Sequence, residues 1–262
     1  VLPQPVVPEV IVVHNGVPDD TTAANYTVGF RDYIKNVTCS EIYATWPVET
    51  LRSNILAVLS FTLNRVFTEW YRGKGYNFTI TSSTAYDQAF NYGRNIFKEV
   101  SDVVDEIFTT YITRPDIRQP LLTQYVDGRK VPPRDGWLSQ WGSKDLGDAG
   151  YSALNILKSY YGDNIILKQA EKVEGVPMSF PGTVLKVGSR GESVSMIQEQ
   201  LNAVSKNYPL IPKVIVDGVY GESTAESVRV FQQVFNLPIT GEVNFPTWYK
   251  LSDVYVAVSK LA

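Results

Sequence analysis

The segment 47-PVETLRSNILAVLSFTLNRVFTEW-70 determines the centre of the fold, because it contains the longest helical pattern of the chain. Apolar residues recur along it at the spacing of one helix face, at Leu51, Ile55, Val58, Leu59 and Val66. Pro47 suits the first helical position, where its missing N–H has no intrahelical partner in any case. The pattern therefore predicts one long, largely buried helix over residues 47–70, ended by Gly73 and Gly75.

Shorter elements surround this helix. Residues 1–30 form an extended entry whose prolines exclude a helix, while the β-branched run 9-EVIVVH-14 is typical of a strand. By the same criteria a helix begins at Phe30, and five further elements follow before residue 169: a strand over 77–81, helices over 86–90, 96–108 and 152–160, and a turn-rich loop over 126–138. The predicted fold class is therefore α+β, mostly helical, with short strands.

The stretch 169–183 separates two regions of different character. It contains two glycines and two prolines between residues 175 and 182 and few large apolar side chains, which is typical of a linker. Three helical faces follow it, separated by glycine-containing turns. We therefore predict a first domain over 1–168, a linker over 169–183 and a small helical domain over 184–262.

Composition excludes several classes of function. The chain has 262 residues with 24 Lys and Arg against 27 Asp and Glu, and its net charge of −3 argues against nucleic acid as the main partner. Its single cysteine, Cys39, cannot form an internal disulfide, and with a single histidine, His14, it cannot build a Cys/His zinc site. No apolar run approaches the roughly 18 residues that a membrane span requires. The 12% aromatic content suits sugar rings and interfaces as well as cores.

Glycines and helix positions follow the linker in a recognisable order. The order runs through 185-LKVGSRG-191, 216-VDGVYG-221, Phe231-Gln232 and Thr247-Trp248. It resembles the small three-helix peptidoglycan-binding domain of many bacterial cell-wall hydrolases. The resemblance implies peptidoglycan as a partner, with Asp217, Tyr220 and Gln232 as binding candidates, although turn and surface roles explain these three residues equally well.

Three blocks in residues 30–165 carry a second resemblance, namely 33-YIKNVTCSEIY-43, 81-TSSTAYDQ-88 and 136-GWLSQWGS-143. They are similar to the sporulation-stage-II-D (SpoIID) type of lytic transglycosylase. With 1-VLPQP-5 and the terminal peptidoglycan-binding domain, nearly the whole chain resembles mature spore cortex-lytic enzymes of the SleC type. The resemblance implies a zymogen activated by a germination protease, spore-cortex peptidoglycan as substrate and an extracytoplasmic, cell-wall location, and Val1 as first residue agrees with such processing.

The resemblance implies that Glu41 is the catalytic acid. Most glycosidases need two carboxyl groups, one to protonate the leaving oxygen and one to attack or to activate water. A lytic transglycosylase uses the 6-hydroxyl of its substrate as nucleophile, so that one carboxyl can act first as acid and then as base. Such a group needs a pKa near the working pH, and the neighbours Ile42, Tyr43 and Trp46 are expected to supply the apolar wall that raises it.

The same blocks provide the expected substrate contacts. The candidates are Tyr43, Asp87, Gln88, Tyr125, Ser139, Gln140 and Trp141. Asp87 and Gln88 would bind acetamido or hydroxyl groups or orient Glu41, with a helix cap and a surface amide as the alternative reading. Tyr125, Trp137 and Trp141 would stack on sugar faces, and Trp141 equally suits a core position.

The chain departs from its relatives in one respect that bears on cofactors. Many of them carry Gly-His-Gly before the Ser-Gln pair, and some hold zinc through His and Cys, whereas this chain has 135-DGWL-138 there. We therefore expect neither a metal nor another cofactor. Two alternative functions stay open, a non-catalytic wall-binding or amidase-enhancing protein and a muramidase with Asp87 as second carboxylate.

Overall fold

The computed structural model of the protein describes residues 1–260 and divides into two compact units, Val1–Gly175 and Val176–Ala262. Within the stretch predicted as a linker, Lys172–Val173 forms a strand that pairs with Val6–Val7. Val173 is buried by this pairing, which explains why the first unit extends past residue 168. Below, the two units are called the first and the second unit.

The first unit is built around helix α2, Val48–Thr68, which is buried around most of its circumference. Its apolar face follows the predicted spacing. Small polar residues on its other faces are buried as well, and the larger Arg65 is buried in an ion pair with Asp87. The hydroxyls of Ser60 and Thr62, for example, donate to carbonyls of the preceding turn at 2.6 and 2.8 Å. A helix whose polar groups are satisfied internally can be enclosed on all sides.

Helix α2 ends before the glycines predicted to terminate it. Its last residue is Thr68, and Glu69 adopts the left-handed conformation with φ of 50°. The Glu69 N–H bonds to the carbonyl of Val66 at 3.2 Å, which closes the last turn. The prediction of Gly73 and Gly75 as the helix end was therefore wrong by one turn.

Four further helices and nine short strands pack around α2 within the described part of the first unit. The helices are α1 (Phe30–Glu41), α3 (Lys98–Ile107), α4 (Gln140–Asp148) and α5 (Ala153–Tyr161). The strands are β1 (Val6–Val7), β2 (Val10–His14), β3 (Asn25–Gly29), β4 (Ile80–Thr81), β5 (Thr110–Thr113), β6 (Tyr125–Val126), β7 (Leu138–Ser139), β8 (Ile166–Gln169) and β9 (Lys172–Val173). Sheet order is β3-β2-β4, with separate pairs β1-β9, β5-β8 and β6-β7.

Residues 86–90, predicted as a short helix, form an irregular turn instead. The backbone N–H groups of Tyr86 and Asp87 both bond to the carbonyl of Ser83, at 3.0 and 2.7 Å. The Asp87 carboxylate also accepts the Thr81 N–H at 2.9 Å, which bends the chain back toward β4. The hydrogen bond from the local backbone to the Asp87 carboxylate thus favours a turn over a helix here. Asp side chains commonly compete with helix formation in this way.

The second unit contains helices α6 (Glu192–Val204), α7 (Glu222–Val234) and α8 (Phe245–Lys260). Its core consists of the apolar positions that the sequence placed on three helix faces, including Val194, Leu201, Val228, Phe231 and Trp248. A bridge between Leu185 and Val243 joins the segments that precede α6 and α8. The predicted α+β class, mostly helical, with a small helical domain at the C-terminal end, is confirmed at this level.

None of the helices within residues 1–260 combines the length and the apolar character that crossing a lipid bilayer demands.

Candidate active site

Glu41 is the last residue of α1, and its carboxyl group lies between two loops. Its Oε1 accepts the backbone N–H of Ala89 at 3.1 Å, and its Oε2 accepts the side-chain amide of Gln140 at 3.2 Å. The first donor comes from the turn after β4, and the second comes from the first residue of α4. Blocks that are distant in the sequence thus meet at one carboxyl group.

Burial sets the protonation of Glu41. Desolvation raises the pKa of its carboxyl group above the usual range and is the largest influence, while the Ala89 and Gln140 hydrogen bonds act in the opposite direction. The two neutral donors offset this effect only in part. The protonated acid therefore persists to higher pH than in an exposed glutamate.

Helix α4 fixes the position of Gln140. Ser139 caps the helix, since its hydroxyl accepts the Gly142 N–H at 2.9 Å. Asn54 of α2 donates to the hydroxyl of Ser143 at 2.8 Å, and this hydroxyl donates to the Gln140 carbonyl at 2.6 Å. Ser139 and Gln140 are both buried, and they position α4 and the side-chain amide that donates to Glu41.

Asp87 and Gln88 lie inside the first unit, and neither presents its side chain to a surface where a substrate binds. Asp87 has a fully buried side chain that pairs with Arg65 at 2.7 Å, and its Oδ2 accepts the Tyr71 hydroxyl at 2.6 Å. Gln88 donates to a carbonyl of α2, and its Oε1 accepts the hydroxyl of Tyr33 at 3.0 Å. Their prediction as substrate contacts is corrected, because both anchor the turn that aims the Ala89 N–H at Glu41.

A narrow recess adjoins Glu41. It is narrower than a water molecule, and its walls include Thr38, Glu41, Asn54, Val58, Tyr125 and Gln140. The hydroxyl of Tyr125 is buried in this wall, so the ring does not stack on an outside sugar as the sequence predicted.

Tyr43, Trp46 and Trp141 form an aromatic cluster. The first two follow Glu41 in the sequence, and Trp141 follows Gln140. The Trp46 and Trp141 ring centroids are 4.9 Å apart, and the Tyr43 ring lies 5.7 and 5.9 Å from them. Tyr43 is 62% exposed, whereas Trp46 is buried beneath it. Arg129 covers the other part of the cluster, with its guanidinium carbon 3.4 Å from the Trp141 ring centroid. Tyr43 and Trp141 thus belong to one cluster, and their role as substrate contacts stays a prediction.

Sequence reasoning missed four contributors to this site, namely Thr38, Asn54, the Ala89 backbone and Arg129. Asn54 lies on the long helix among residues that the periodicity assigned to the core. A backbone N–H carries no sequence signal at all. Arg129 lies in the loop 126–138, for which the sequence predicted only turns. The one available signal was the unusual presence of Thr and Asn on faces that the helical pattern predicts as buried.

No group of three His, Cys, Asp or Glu side chains lies within metal-binding reach in the part of the chain that the structure describes. His14 packs on Phe78 with ring centroids 4.5 Å apart, and its Nδ1 lies 2.8 Å from the side-chain oxygen of Asn25. Cys39 is buried on α1, and desolvation raises the pKa of its thiol. Neither residue is placed at the carboxyl group of Glu41.

The second unit contains two equivalent glutamine clamps, one at Gln198 and one at Gln232. Gln232 accepts the N–H groups of Thr240 and Gly241, both at 2.9 Å, and donates to the Thr247 hydroxyl at 3.1 Å. Gln198 repeats this pattern one helix earlier, with the turn 217–218 and a threonine at the start of α7. Each clamp ties a glycine turn to the middle of the preceding helix.

These clamps correct two of the predicted glycan contacts. Gln232 and Tyr220 are fully buried, and the Tyr220 hydroxyl donates to the Gly241 carbonyl at 2.8 Å. Asp217 alone among the three candidates is exposed. Backbone donation from Val219 and the Gln198 amide lower the pKa of its carboxyl group, so it stays charged at the turn.

We expect Gln232→Leu to destabilise the second unit by about 2 to 5 kcal/mol, because the N–H groups of Thr240 and Gly241 would lose their acceptor inside the protein. Hydrogen exchange of residues 222–251 measures this loss. Gln233→Leu is the matched control, since Gln233 is exposed, and its effect should stay within about 0.5 kcal/mol. Equal protection in both variants would contradict the clamp.

Comparisons with known proteins bear mainly on the second unit. Residues 190–251 match the family described as putative peptidoglycan binding domain. A solved structure titled "The crystal structure of SleB N-terminal domain" is 31% identical over 29% of this chain and 99% of its own, with a TM-score of 0.26. No curated protein matches the chain significantly. The second unit thus contains a peptidoglycan-binding domain, and peptidoglycan is the partner that it indicates.

Proposed function

We propose that this protein is a lytic transglycosylase that degrades spore-cortex peptidoglycan, with Glu41 as its single acid and base. The observation that carries the proposal is the carboxyl group of Glu41, whose pKa is raised by burial and which is held by two neutral donors. The peptidoglycan-binding domain in the same chain gives the substrate class. The restriction to spore cortex comes from the sequence resemblance alone.

The proposed reaction needs one carboxyl group and no water. The protonated Glu41 donates its proton to the glycosidic oxygen between the muramic acid and the following glucosamine, and the bond from C1 to that oxygen breaks. The resulting carboxylate takes the proton of the 6-hydroxyl on the same muramic acid, whose oxygen then bonds to C1. A 1,6-anhydro end forms, and Glu41 is protonated again.

The surroundings of Glu41 favour this route over hydrolysis with two carboxylates. Within residues 1–260, Glu41 is the sole carboxyl group that lines the recess. Asp87 is committed to Arg65, and Glu49 accepts the Ala153 N–H at 2.6 Å at the start of α5. An inverting or retaining hydrolase needs a second free carboxylate within roughly 10 Å of the first.

The aromatic cluster is proposed to hold a sugar ring next to Glu41. An exposed tyrosine above a buried tryptophan offers an apolar face with polar edges, which suits the alternating faces and hydroxyls of a pyranose. The second unit would add affinity by tethering the catalytic unit to an insoluble glycan. Tethering raises the effective substrate concentration without a new contact at the cleft.

For Trp141→Ala we expect a rise in KM of about three- to tenfold with a smaller change in kcat, because a stacking contact is lost while Glu41 stays in place. Cleavage of soluble peptidoglycan fragments at varied concentration measures both constants. Trp137→Ala is the control, since the Trp137 ring pairs with Arg134 outside the cluster. An unchanged KM in Trp141→Ala would remove the cluster from the binding surface.

Product analysis tests the proposal itself. Purified spore cortex is digested with the protein, and the released fragments are analysed by mass spectrometry. Fragments with anhydro ends, lighter by one water than reducing ends, support transglycosylase activity. Reducing ends would identify a hydrolase instead. Binding without any new product would leave a wall-binding or amidase-enhancing protein.

A further inference from the structure

Two hydroxyl groups in the recess have no hydrogen-bond partner. The Thr38 Oγ1 and the Tyr125 hydroxyl are both buried, and neither finds a partner within the described chain. Gln88 lies near enough to influence the Tyr125 pKa, but it forms no hydrogen bond of normal length and angle with that hydroxyl. A buried, unpaired hydroxyl destabilises a folded protein, so two of them in one recess require a reason.

Thr38 and Tyr125 both line the recess, and Glu41 lines it with them. The recess is narrower than a water molecule, so solvent does not satisfy them there. Asn54, which also lines it, has its amide nitrogen committed to the Thr50 carbonyl and the Ser143 hydroxyl. Among the residues that line the recess, Asn54 and Gln140 offer neutral amide oxygens, and Glu41 offers the acceptor that becomes charged.

Glu41 has unused capacity to accept. An ionised carboxylate offers about four lone-pair positions, and Ala89 and Gln140 occupy one on each oxygen. In the protonated acid one oxygen carries the proton, so the need for further donors is small. After proton transfer the charge is buried, and additional donors become valuable because hydrogen bonds to charged groups are the stronger ones.

We infer that Thr38 and Tyr125 are positioning residues that donate hydrogen bonds to the Glu41 carboxylate once it has given up its proton. The inference rests on the proposed function and extends it, because it assigns the donors that stabilise the charged form between the two proton transfers. Both side chains keep their own protons. Burial holds the pKa of Tyr125 well above its usual range, so that Tyr125 remains a donor throughout.

The other titratable groups around Glu41 are bonded to partners other than its carboxyl group. From α1, Tyr33 faces the same region, and burial raises the pKa of its hydroxyl, which donates to Gln88. From α2, Arg65 is paired with Asp87. From the loop after the Ala89 turn, Arg94 donates to the Cys39 carbonyl at 2.6 Å. The donors to the Glu41 carboxyl group are the Ala89 N–H and the Gln140 amide rather than any of these groups, so a pH-dependent change in turnover reports on Glu41.

The test uses the full chain with Tyr125→Phe and, separately, Thr38→Val, which removes the hydroxyl at nearly constant volume. We expect each variant to keep or raise its melting temperature, because an unpaired buried hydroxyl is removed. We expect kcat on peptidoglycan fragments to fall about tenfold to a hundredfold, since a donor to a charged group is lost. The decline of kcat at high pH should shift to higher pH, because the charged form of Glu41 loses a donor.

Tyr161→Phe is the matched control. Its buried hydroxyl donates to the Gln124 carbonyl at 2.9 Å, so its removal should lower the melting temperature and leave the pH profile of kcat unmoved. If Tyr125→Phe and Thr38→Val lower the melting temperature while kcat and its pH profile stay unchanged, the inference is overturned and the transglycosylase proposal stands. If the unaltered protein yields no cleavage products, the proposed function itself fails.

Discussion

Glu41→Gln is expected to abolish peptidoglycan cleavage, with kcat reduced by about a thousandfold or more, since general acid–base catalysis contributes roughly 10²–10⁴ and here one group serves both steps. An amide has nearly the shape of the carboxyl group but cannot donate a proton to the glycosidic oxygen. Its carbonyl oxygen can still accept the Ala89 N–H, so the loop at the site should keep its place. The measurement is the rate at which anhydro ends appear by mass spectrometry.

Two controls keep this result interpretable. Glu99→Gln removes an exposed carboxylate from the first turn of α3 and should leave turnover unchanged. Glu41→Gln should still bind insoluble peptidoglycan, because the peptidoglycan-binding domain lies in the other unit. Full activity in Glu41→Gln would exclude this residue as the acid.

The pH dependence of turnover follows from the environment of Glu41. Burial raises the pKa of its carboxyl group, and the first step needs the protonated form. Turnover should therefore persist above the ordinary titration range of a glutamate, about pH 4.3, and should fall as pH rises through the raised pKa. The free energy of unfolding should depend on pH in the same direction. The stabilising contribution of protonated Glu41 is complete below its pKa in the unfolded chain and is lost as pH rises through its pKa in the folded protein. Glu41→Gln should remove this contribution.

The elements with strong periodicity could be predicted from the sequence. The long helix α2 and the core faces of the second unit follow from apolar spacing, which reports directly on burial. The resemblance in block 33–43 also led to Glu41 and Tyr43. In the structure the Glu41 carboxyl group accepts two hydrogen bonds, and the Tyr43 ring is exposed. In these segments local pattern and tertiary packing agree.

The roles of buried polar residues could not be predicted in the same way. Asp87, Gln88 and Tyr220 lie in turn segments and Gln232 lies near the end of α7, and each is a position where a polar residue is expected at the surface. Each instead bonds to backbone or side-chain groups of other elements, an arrangement that depends on distant parts of the chain. A single sequence does not distinguish a motif residue that stabilises the fold from one that binds a ligand.

Asp87→Asn is expected to lower the stability of the first unit by about 3 to 5 kcal/mol, because Arg65 would remain buried without its counter-charge. For a protein of this size each kcal/mol corresponds to roughly 2–4 °C, so the melting transition of the first unit should fall by about 10 °C. Thermal unfolding followed by circular dichroism measures the shift. Hydrogen exchange of residues 80–89 should show the turn losing protection first.

The same substitution separates a structural role of Asp87 from a catalytic one. Asp102→Asn is the matched control: Asp102 pairs with Lys98 on the surface of α3, where the loss should stay within about 1 kcal/mol. Because the Asp87 turn carries the Ala89 N–H, we also expect some loss of turnover in Asp87→Asn, smaller than in Glu41→Gln. A variant with unchanged melting temperature but no cleavage would instead place Asp87 in the chemistry as a second carboxylate. That outcome would favour a hydrolase over the single-acid mechanism, because a loss of cleavage without a loss of stability cannot be attributed to a weakened fold.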